Sequence, residues 1–303
     1  MKKRILSILL TLCMVLCIVP TSVFAEGETT KKVGTEQELV DALADSTVDI
    51  ITLKNDIAVS STLIVKRAVT LDIYGYMLEI SRSGSVFKVA DGGHLTLIDS
   101  DLTSTYYFTP DKNGLWKWVA SGGTKTVNGG VIYGGNAEKG GGVCIERGGE
   151  FTMTGGSIVG CTATDPGHNA YGGGVYVAGT FKMTGGNIVG CTVTATDIWN
   201  SARGGGVHVD GTFTMSGGSI IGCTAVGQNA MAWGGGIRNE GTTILSGTAE
   251  IRDCHATGNS VDGGGISAGG LLNISGDVKI IGCTSDGSSD TMSIGYVGST
   301  ISG

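Results

Sequence analysis

The sequence predicts an all-β fold, a right-handed parallel β-helix solenoid with a short N-terminal capping helix. Three observations predict it. A GGG triplet begins at Gly140, Gly172, Gly204, Gly234 and Gly263, at spacings of 32, 32, 30 and 29 residues. Apolar residues two apart follow each triplet, which is typical of short β-strands. Each repeat then carries Ile-x-x-Cys. A fixed period in this range indicates stacked structural repeats.

Each repeat contains three strand-like runs that glycines separate from one another. Coils stacked at ~4.8 Å place equivalent residues in columns, and the stack buries a face that a single coil leaves exposed. The handedness of crossovers between parallel strands favours right-handed winding. The predicted inward columns are Val143, Val175, Val207, Ile237, Ile266; Phe151, Phe181, Phe213, Thr243, Leu272; and Ile158, Ile188, Ile220, Ile251, Ile280.

These repeats resemble those of bacterial surface proteins with the pectate-lyase-like parallel β-helix, over roughly residues 34–290. The GGG triplet followed by Val or Ile, together with Ile-x-x-Cys, is also similar to the GGAI and FxxN repeats of chlamydial polymorphic outer-membrane proteins. Cys stands where that family has Asn, so a thiol column replaces a polar one. The resemblance implies a role in adhesion or cell-surface display, although one fold carries many activities.

Residues 1–25 have the pattern of a secretory signal peptide. Lys2, Lys3 and Arg4 precede an apolar run over 5–19, and Val23-Phe24-Ala25 is typical of a cleavage site. A membrane anchor is the alternative, but the run is shorter than the ~20 residues that a span needs. The sequence therefore predicts a secreted, extracellular protein, either free or associated with the cell surface, with no membrane span after signal cleavage.

The chain that remains after cleavage is acidic. The full sequence has 20 Lys and Arg against 27 Asp and Glu, and residues 1–25 hold three of the cations and none of the anions. The mature charge is therefore −10, from 17 cations and 27 anions. A surface of this sign repels nucleic acid, so nucleic acid is excluded as a partner.

The remaining chain divides into three predicted regions. Residues 26–48 form an N-terminal cap region, in which Thr35 and Glu38 have the pattern of a capping box that starts a helix over 35–45. Residues 49–123 form irregular first coils with an aromatic insertion. Residues 124–303 form regular coils, closed either by an end-to-end or C-terminal partner or by an imperfect coil over 292–301.

The insertion, Ser100–Gly123, contains five of the eighteen aromatic residues of the chain. One interpretation is that these aromatics pack the insertion onto the coils. The other is that they form a platform for a sugar or a protein partner, since exposed Trp and Tyr are favoured at interfaces.

Six cysteines remain after cleavage, and five of them recur once per repeat: Cys161, Cys191, Cys223, Cys254 and Cys283. This spacing predicts a buried thiol column, with Cys144 outward, because buried Cys behaves as a small hydrophobe. Disulfides between neighbouring coils and a soft-metal thiolate site are the alternatives. No cofactor and no metal site is otherwise indicated.

The residue before each triplet forms the first candidate site. Tyr171, Arg203 and Trp233 occupy this position in successive coils, which predicts a guanidinium between two aromatic rings. Trp199 lies in an adjoining loop, and the loops vary in length while the strands do not. Variable loops on a rigid scaffold are typical binding elements. The alternative is that the rings only shield the surface.

The second candidate is a charged cluster on the first run. His208 and Asp210 are predicted to face outward from one coil, and Arg238 and Glu240 take the same places on the next. The two carboxylates would lie near the ~5–5.5 Å separation of retaining glycosidases. A surface ion-pair network explains the same residues, and an open ridge without a pocket does not favour catalysis.

The function predicted from these patterns is adhesion or binding of a glycan or a host or cell-surface protein, without catalysis. The alternative is a polysaccharide lyase or glycoside hydrolase. The two classes differ in one feature, a cleft with converging carboxylates, which the enzyme requires.

Overall fold

The computed structural model describes residues 27–111, 114–286, 292–294 and 300–302. They form a parallel β-solenoid of about 7 turns with one short helix near its N-terminus, which confirms the predicted fold class. The predicted signal peptide, residues 1–25, lies outside the described residues. The predicted region boundaries stay predictions.

Three parallel sheets enclose the main core, and each coil contributes one strand to each. The strands of sheet A are Thr30–Val33, Ile50–Leu53, Ala68–Asp72, His94–Ile98, Glu150–Met153, Thr180–Met183, Thr212–Met215, Thr242–Leu245, Leu271–Ser275 and Thr300–Ser302. The strands of sheet B are Ile57–Val59, Met77–Ile80, Val131–Tyr133, Ser157–Val159, Asn187–Val189, Ser219–Ile221, Glu250–Arg252 and Lys279–Ile281. The strands of sheet C are Leu63–Val65, Phe87–Val89, Val143–Ile145, Val175–Val177, Val207–Val209, Ile237–Asn239, Ile266–Ala268 and Met292–Ile294.

The core columns follow the predicted register. Phe151 pairs with Phe181, and Phe181 pairs with Phe213, in neighbouring strands of sheet A. Their rings stack at centroid distances of 5.0 and 4.8 Å, and all three side chains are fully buried. The column then continues through buried Thr243, whose hydroxyl has no hydrogen-bond partner. The inward face of sheet A is therefore aromatic in the middle coils.

Helix α1, Glu36–Ala44, covers the first coil. Thr35 is its N-cap, and the Thr35 hydroxyl accepts a hydrogen bond from the Glu38 backbone N–H. The Glu38 carboxylate in turn accepts from the Gly34 backbone N–H at 2.7 Å. Leu39 and Leu43 are buried against the core, so the helix closes the N-terminal end of the solenoid as predicted.

The repeats contain more strands than the three predicted. After sheet B, the chain forms two further short strands that project from the solenoid as a flange, and we call the resulting sheets D and E. Sheet D contains Asn136–Ala137, Thr162–Asp165, Thr192–Ala195, Thr224–Gly227, His255–Thr257 and Thr284–Ser285. Sheet E contains Ala170–Tyr171, Ser201–Arg203, Met231–Trp233 and Ser260–Asp262.

The flange has its own small hydrophobic core, made almost entirely of alanine. Ala163, Ala202 and Ala232 belong to it, and each is fully buried. Side chains this small let sheets D and E lie close together, so the variable stretches that looked like loops in the sequence are ordered strands with loop tips.

The GGG triplets carry the chain from the flange back to sheet C. The first glycine of each triplet has a positive φ, 71° at Gly204. A Cβ on the second glycine has no room, because at Gly205 it would lie 2.5 Å from the Thr224 carbonyl carbon of the same coil. The triplet therefore runs between the two cores where only backbone fits.

The aromatic insertion forms a three-stranded antiparallel sheet, Thr105–Pro110, Trp116–Val119 and Lys125–Asn128. Phe108 and Trp116 are buried against Val159 and Val189 of sheet B. Trp118 lies on the outer side and is 44 % exposed. The insertion thus packs onto the coils through its own aromatics, as the first interpretation proposed.

Cys161, Cys191, Cys223, Cys254 and Cys283 are unpaired thiols buried in the main core, and Cys144 is half-buried. Burial raises the pKa of the Cys191, Cys223 and Cys254 thiols well above the ordinary value. The predicted thiol column is confirmed, and each thiol beyond the first donates to a carbonyl of the preceding coil, as Cys191 does to Ile158.

The last described strands extend the stack. Met292–Ile294 pairs in parallel with sheet C, and Thr300–Ser302 pairs with sheet A. This agrees with the closing coil predicted over 292–301, of which residues 292–294, 300 and 301 are described. Within the described ranges, no helix has the length and apolar character needed to cross a membrane.

Candidate functional site

The two candidate sites predicted separately form one continuous surface. Strands of sheet E end next to the middle residue of the following sheet C strand, across the short GGG triplet: Tyr171 lies beside Tyr176, Trp233 beside Arg238, and Asp262 beside Ser267. Tyr171 also lies beside His208, with ring centroids 4.9 Å apart in an edge-to-face arrangement. We call this surface the cation–aromatic ladder; it comprises Lys139, Tyr171, Arg203 and Trp233 from the sheet E side, and Tyr176, His208 and Arg238 from sheet C.

Arg203 is the centre of the ladder. Its guanidinium carbon lies 5.4 Å from the Tyr171 ring centroid and 4.9 Å from that of Trp233, as the column register predicts. Its Nε donates to the Ser201 hydroxyl at 2.7 Å, and its Nη1 donates to both carboxylate oxygens of Glu240 at 2.9 and 3.1 Å. Both planar faces of the guanidinium, together with its Nε and Nη1, are thus engaged within the protein.

The other two cations of the ladder, Lys139 and Arg238, also lie against its aromatic rings. Lys139 Nζ lies 5.2 Å from the Tyr171 centroid and 5.1 Å from that of Tyr176. Arg238 lies 4.7 Å from the Trp233 centroid. Lys139 and Arg203 come from the coils on either side of Tyr171, so they cover its two faces. A ligand can stack on this ring only by displacing a cation.

The charged cluster lies beneath these rings rather than on an open ridge. His208 faces away from the main core but is fully buried, and the Tyr176 ring stacks parallel to it at 5.7 Å. His208 Nε2 donates to Asp210 Oδ1 at 3.0 Å, and the Tyr176 hydroxyl donates to Asp210 Oδ2 at 2.7 Å. The predicted open ridge is wrong at His208, because the sheet E side chains cover it.

The pKa values of the cluster follow from burial and hydrogen bonding. Burial disfavours the imidazolium and lowers the pKa of His208. Its Nδ1 is buried without a partner, so the proton belongs on Nε2, which faces Asp210. The hydrogen bond from His208 lowers the pKa of Asp210 to about 2. At neutral pH, His208 is therefore neutral and Asp210 is ionised.

The cluster also has the donor atoms of a metal site. One atom each of His208, Asp210 and Glu240 lie within 4.8 Å of one another. Glu240, however, already forms ion pairs with Arg203 at 2.9 Å and with Arg238 at 3.0 Å. An added cation would compete with two guanidinium groups for this carboxylate, so the arrangement favours an ion-pair network.

Trp199 lies apart from the ladder, at the tip of the flange between Thr192–Ala195 and Ser201–Arg203. Its side chain is 83 % exposed, and neighbouring Ile198 is 59 % exposed. Among the described residues, none places a ring or a cation against the Trp199 indole. Of the four predicted ligand-binding residues, three therefore belong to the ladder and Trp199 stands alone.

One participant, Tyr176, was missed in the sequence. Tyr176 precedes His208 in the sheet C column, so the register used for His208 and Arg238 also points to it. The signal was present, namely an aromatic or polar residue at the same position of successive coils. Asp262, the residue before the last triplet, follows Trp233 in the sheet E column, and it accepts a hydrogen bond from the Ser267 hydroxyl, which accepts one from Arg238.

The buried His208 predicts acid sensitivity. Its folded pKa lies below the ordinary value of 6.5, so the unfolded chain binds the proton first as the pH falls. The protein should therefore lose stability below about pH 6.5 through this residue. His208→Gln, which can still donate to Asp210, should show a weaker dependence of melting temperature on pH between 7 and about 5. His168→Gln, at a histidine with an exposed side chain, is the control and should behave as wild type; equal slopes in the three proteins would contradict the assignment.

Comparison with known proteins agrees with this architecture. Residues 30–140 match the family model described as "Putative pectate lyase-like adhesive domain". No curated protein and no solved structure matches the chain. The match supports the pectate-lyase-like resemblance, and an adhesive domain indicates a protein of the cell surface or extracellular space. The resemblance to chlamydial polymorphic outer-membrane proteins is not supported by these comparisons and stays a prediction.

Proposed function

We propose that the protein is a secreted or surface-held adhesive solenoid, which binds an extracellular glycan or protein through the flange and does not cleave it. The matched adhesive domain covers the first coils, and the regular coils extend the same scaffold. The solenoid supplies a rigid frame, and the flange tips supply the variable surface. Binding residues are commonly placed on variable loops held by a rigid scaffold.

The exposed indole of Trp199 is the observation that carries the proposal. A Trp that is 83 % exposed leaves a large apolar area in water, and such residues are favoured anchors at binding interfaces. Its loop is held in place. Asn200 N–H donates to the Asp197 carbonyl at 2.9 Å, and the Ser201 N–H and hydroxyl both donate to Asn169. A pre-positioned anchor loses little conformational entropy on binding.

In this proposal, the ladder is the rigid base of the binding surface. Tyr171, Arg203 and Trp233 present their edges, because cations already cover ring faces. Glu240 pairs with Arg203, so the Arg203 guanidinium is not free to pair with an acidic sugar. In this proposal the ligand therefore touches only the edges of these side chains. Most of the apolar surface buried on binding belongs to Trp199.

The charge states of the cluster support binding without catalysis. Glycoside hydrolysis needs one carboxyl group that holds a proton near the working pH. Asp210 has a pKa lowered to about 2, and Glu240 is paired with two arginines. His208 is fully enclosed and cannot touch a substrate in this arrangement. These features are those of a structural ion-pair network.

The test is ligand capture on an array of glycans and extracellular proteins, with wild type and Trp199→Ala side by side. The variant should lose binding by about tenfold or more while its melting temperature stays the same, because the side chain is exposed. Trp118→Ala, at an exposed Trp on the insertion, is the matched control and should keep binding. Tyr171 is a poorer position, since its truncation would also uncover His208.

The enzyme alternative is tested on the same protein with a panel of polysaccharides. Asp210→Asn combined with Glu240→Gln should keep ligand binding, and neither wild type nor variant should cleave any polysaccharide. Cleavage by the wild type that this double variant abolishes would establish the enzyme and refute non-catalytic binding. Binding that survives Trp199→Ala would refute the role of the flange tip.

A further inference from the structure

A cleft lies between the aromatic insertion and the outer face of sheet D. Its volume is about 420 Å³, and its lining includes Lys117, Tyr133, Thr162, Thr164, Thr192 and Thr194. None of these residues belongs to the ladder. The cleft is thus a separate feature, and its polar lining distinguishes it from an apolar groove.

One wall of the cleft belongs to the aromatic insertion, and two contacts fix its position. The Trp116 indole packs against Gly190, at the turn between sheets B and D, where a Cβ would come within 2.5 Å of the ring. Tyr133 of sheet B accepts a hydrogen bond through its hydroxyl from the Trp118 N–H at 3.1 Å. These two contacts hold the strand that carries Lys117 at a set distance from sheet D.

The floor is a regular array of hydroxyl groups. Thr162 pairs with Thr192, and Thr164 pairs with Thr194, in neighbouring strands of sheet D. The spacing between partners is that of paired strands, ~4.8 Å. Each hydroxyl can both donate and accept a hydrogen bond. The floor can therefore match a ligand that carries several hydroxyl groups at similar spacing.

One of these hydroxyls lacks a partner. Thr192 is only 4 % exposed, and its Oγ1 makes no hydrogen bond to any described residue. Its neighbour Thr162, in contrast, donates through Oγ1 to the Gly135 carbonyl at 3.2 Å. Buried polar groups normally have partners, and an unsatisfied one lowers stability. A ligand bound in the cleft could form the missing hydrogen bond and so offset this loss of stability.

We propose that this cleft binds a saccharide of one or two sugar rings, with Thr192 and Thr194 bonding its hydroxyl groups and Lys117 contributing from the wall. A volume of 420 Å³ lies at the lower end of the range of ligand pockets. Sugar hydroxyls both donate and accept, as the threonines do. The mixed amine and hydroxyl lining disfavours an apolar ligand.

The test is ligand-observed NMR on the full chain with neutral hexoses, their uronic acids and hexose disaccharides at millimolar concentration. Thr192→Val and Thr194→Val, which keep the side-chain shape, should each weaken binding by about tenfold. Thr192→Val should keep or raise the melting temperature, because it removes an unsatisfied buried hydroxyl. A merely structural threonine would not combine lost binding with unchanged or greater stability.

Controls separate this site from the flange tip. Thr214→Val, at an outward position of sheet A, should bind as wild type, and so should Trp199→Ala. The proposal is overturned if the wild type binds none of these sugars, which would leave ordered water as the partner of Thr192. It is also overturned if both threonine variants bind as tightly as wild type. Loss of binding in Trp199→Ala alone would assign the sugar to the flange tip.

Discussion

Phe181→Ala should lower the free energy of unfolding by about 3–5 kcal/mol, the usual loss when a large buried aromatic site is emptied. The Phe181 ring is fully buried and stacks on Phe151 at 5.0 Å and on Phe213 at 4.8 Å. Both neighbours belong to other coils, so the cavity would interrupt the core in three coils at once. Denaturant unfolding followed by circular dichroism measures the effect.

Two further variants calibrate this result. Phe213 stacks on one ring only, and on its other side the column continues through Thr243, so Phe213→Ala should lose less stability than Phe181→Ala. Thr214→Ala, next to Phe213 but outward, should change stability by less than about 1 kcal/mol. An unchanged midpoint in Phe181→Ala would mean that this face of sheet A does not form the core.

The core could be predicted because its signal is local and repeated. Phe181 and Met183 lie two residues apart, and the same pair recurs one period away at Phe213 and Met215. Alternation fixes which side chains face inward, and the period fixes which residues stack. The same argument placed Arg203 between Tyr171 and Trp233, as the structure shows.

The flange could not be predicted in the same way. Its strands are two to four residues long, and their inward residues are mostly alanine, which carries little hydrophobic signal. The loops between them also change length from one repeat to the next, which hides the period. Strand formation there depends on pairing with the neighbouring coil, as between Ala170 and Ala202, and not on the sequence of one repeat.

The two candidate sites form one surface because of the same flange strands, which the sequence did not predict. Register alone places His208 outward on sheet C, and outward residues are normally exposed. It becomes buried because the GGG triplet brings Tyr171 of the flange across the outer face of that sheet. To predict this contact, one must know the path that the backbone takes through the GGG triplet. The periodicity of the strands gives no information about that path.

The close passage of the GGG triplet between the two cores predicts the second large effect on stability. Gly205→Ala should lower the free energy of unfolding by about 3 kcal/mol or more, the upper part of the range for overpacked sites. The added Cβ would lie 2.5 Å from the Thr224 carbonyl carbon, and on its other side it would meet the Gly235 carbonyl oxygen of the next coil. Both obstacles are backbone atoms, so no side chain can rotate away to make room.

Relief would require the coils to separate, which would break the hydrogen bonds from Gly205 N–H to the Gly234 carbonyl and from Gly206 N–H to the Gly235 carbonyl, each 3.0–3.1 Å long. Gly167→Ala is the matched control. A Cβ there meets nothing within 4 Å, so this variant should be neutral or slightly more stable, since alanine restricts the unfolded chain. Denaturant midpoints of the two variants measure the contrast. Equal stability of Gly205→Ala and Gly167→Ala would show that the triplet has room for side chains, and that the close passage between the two cores does not exist in solution.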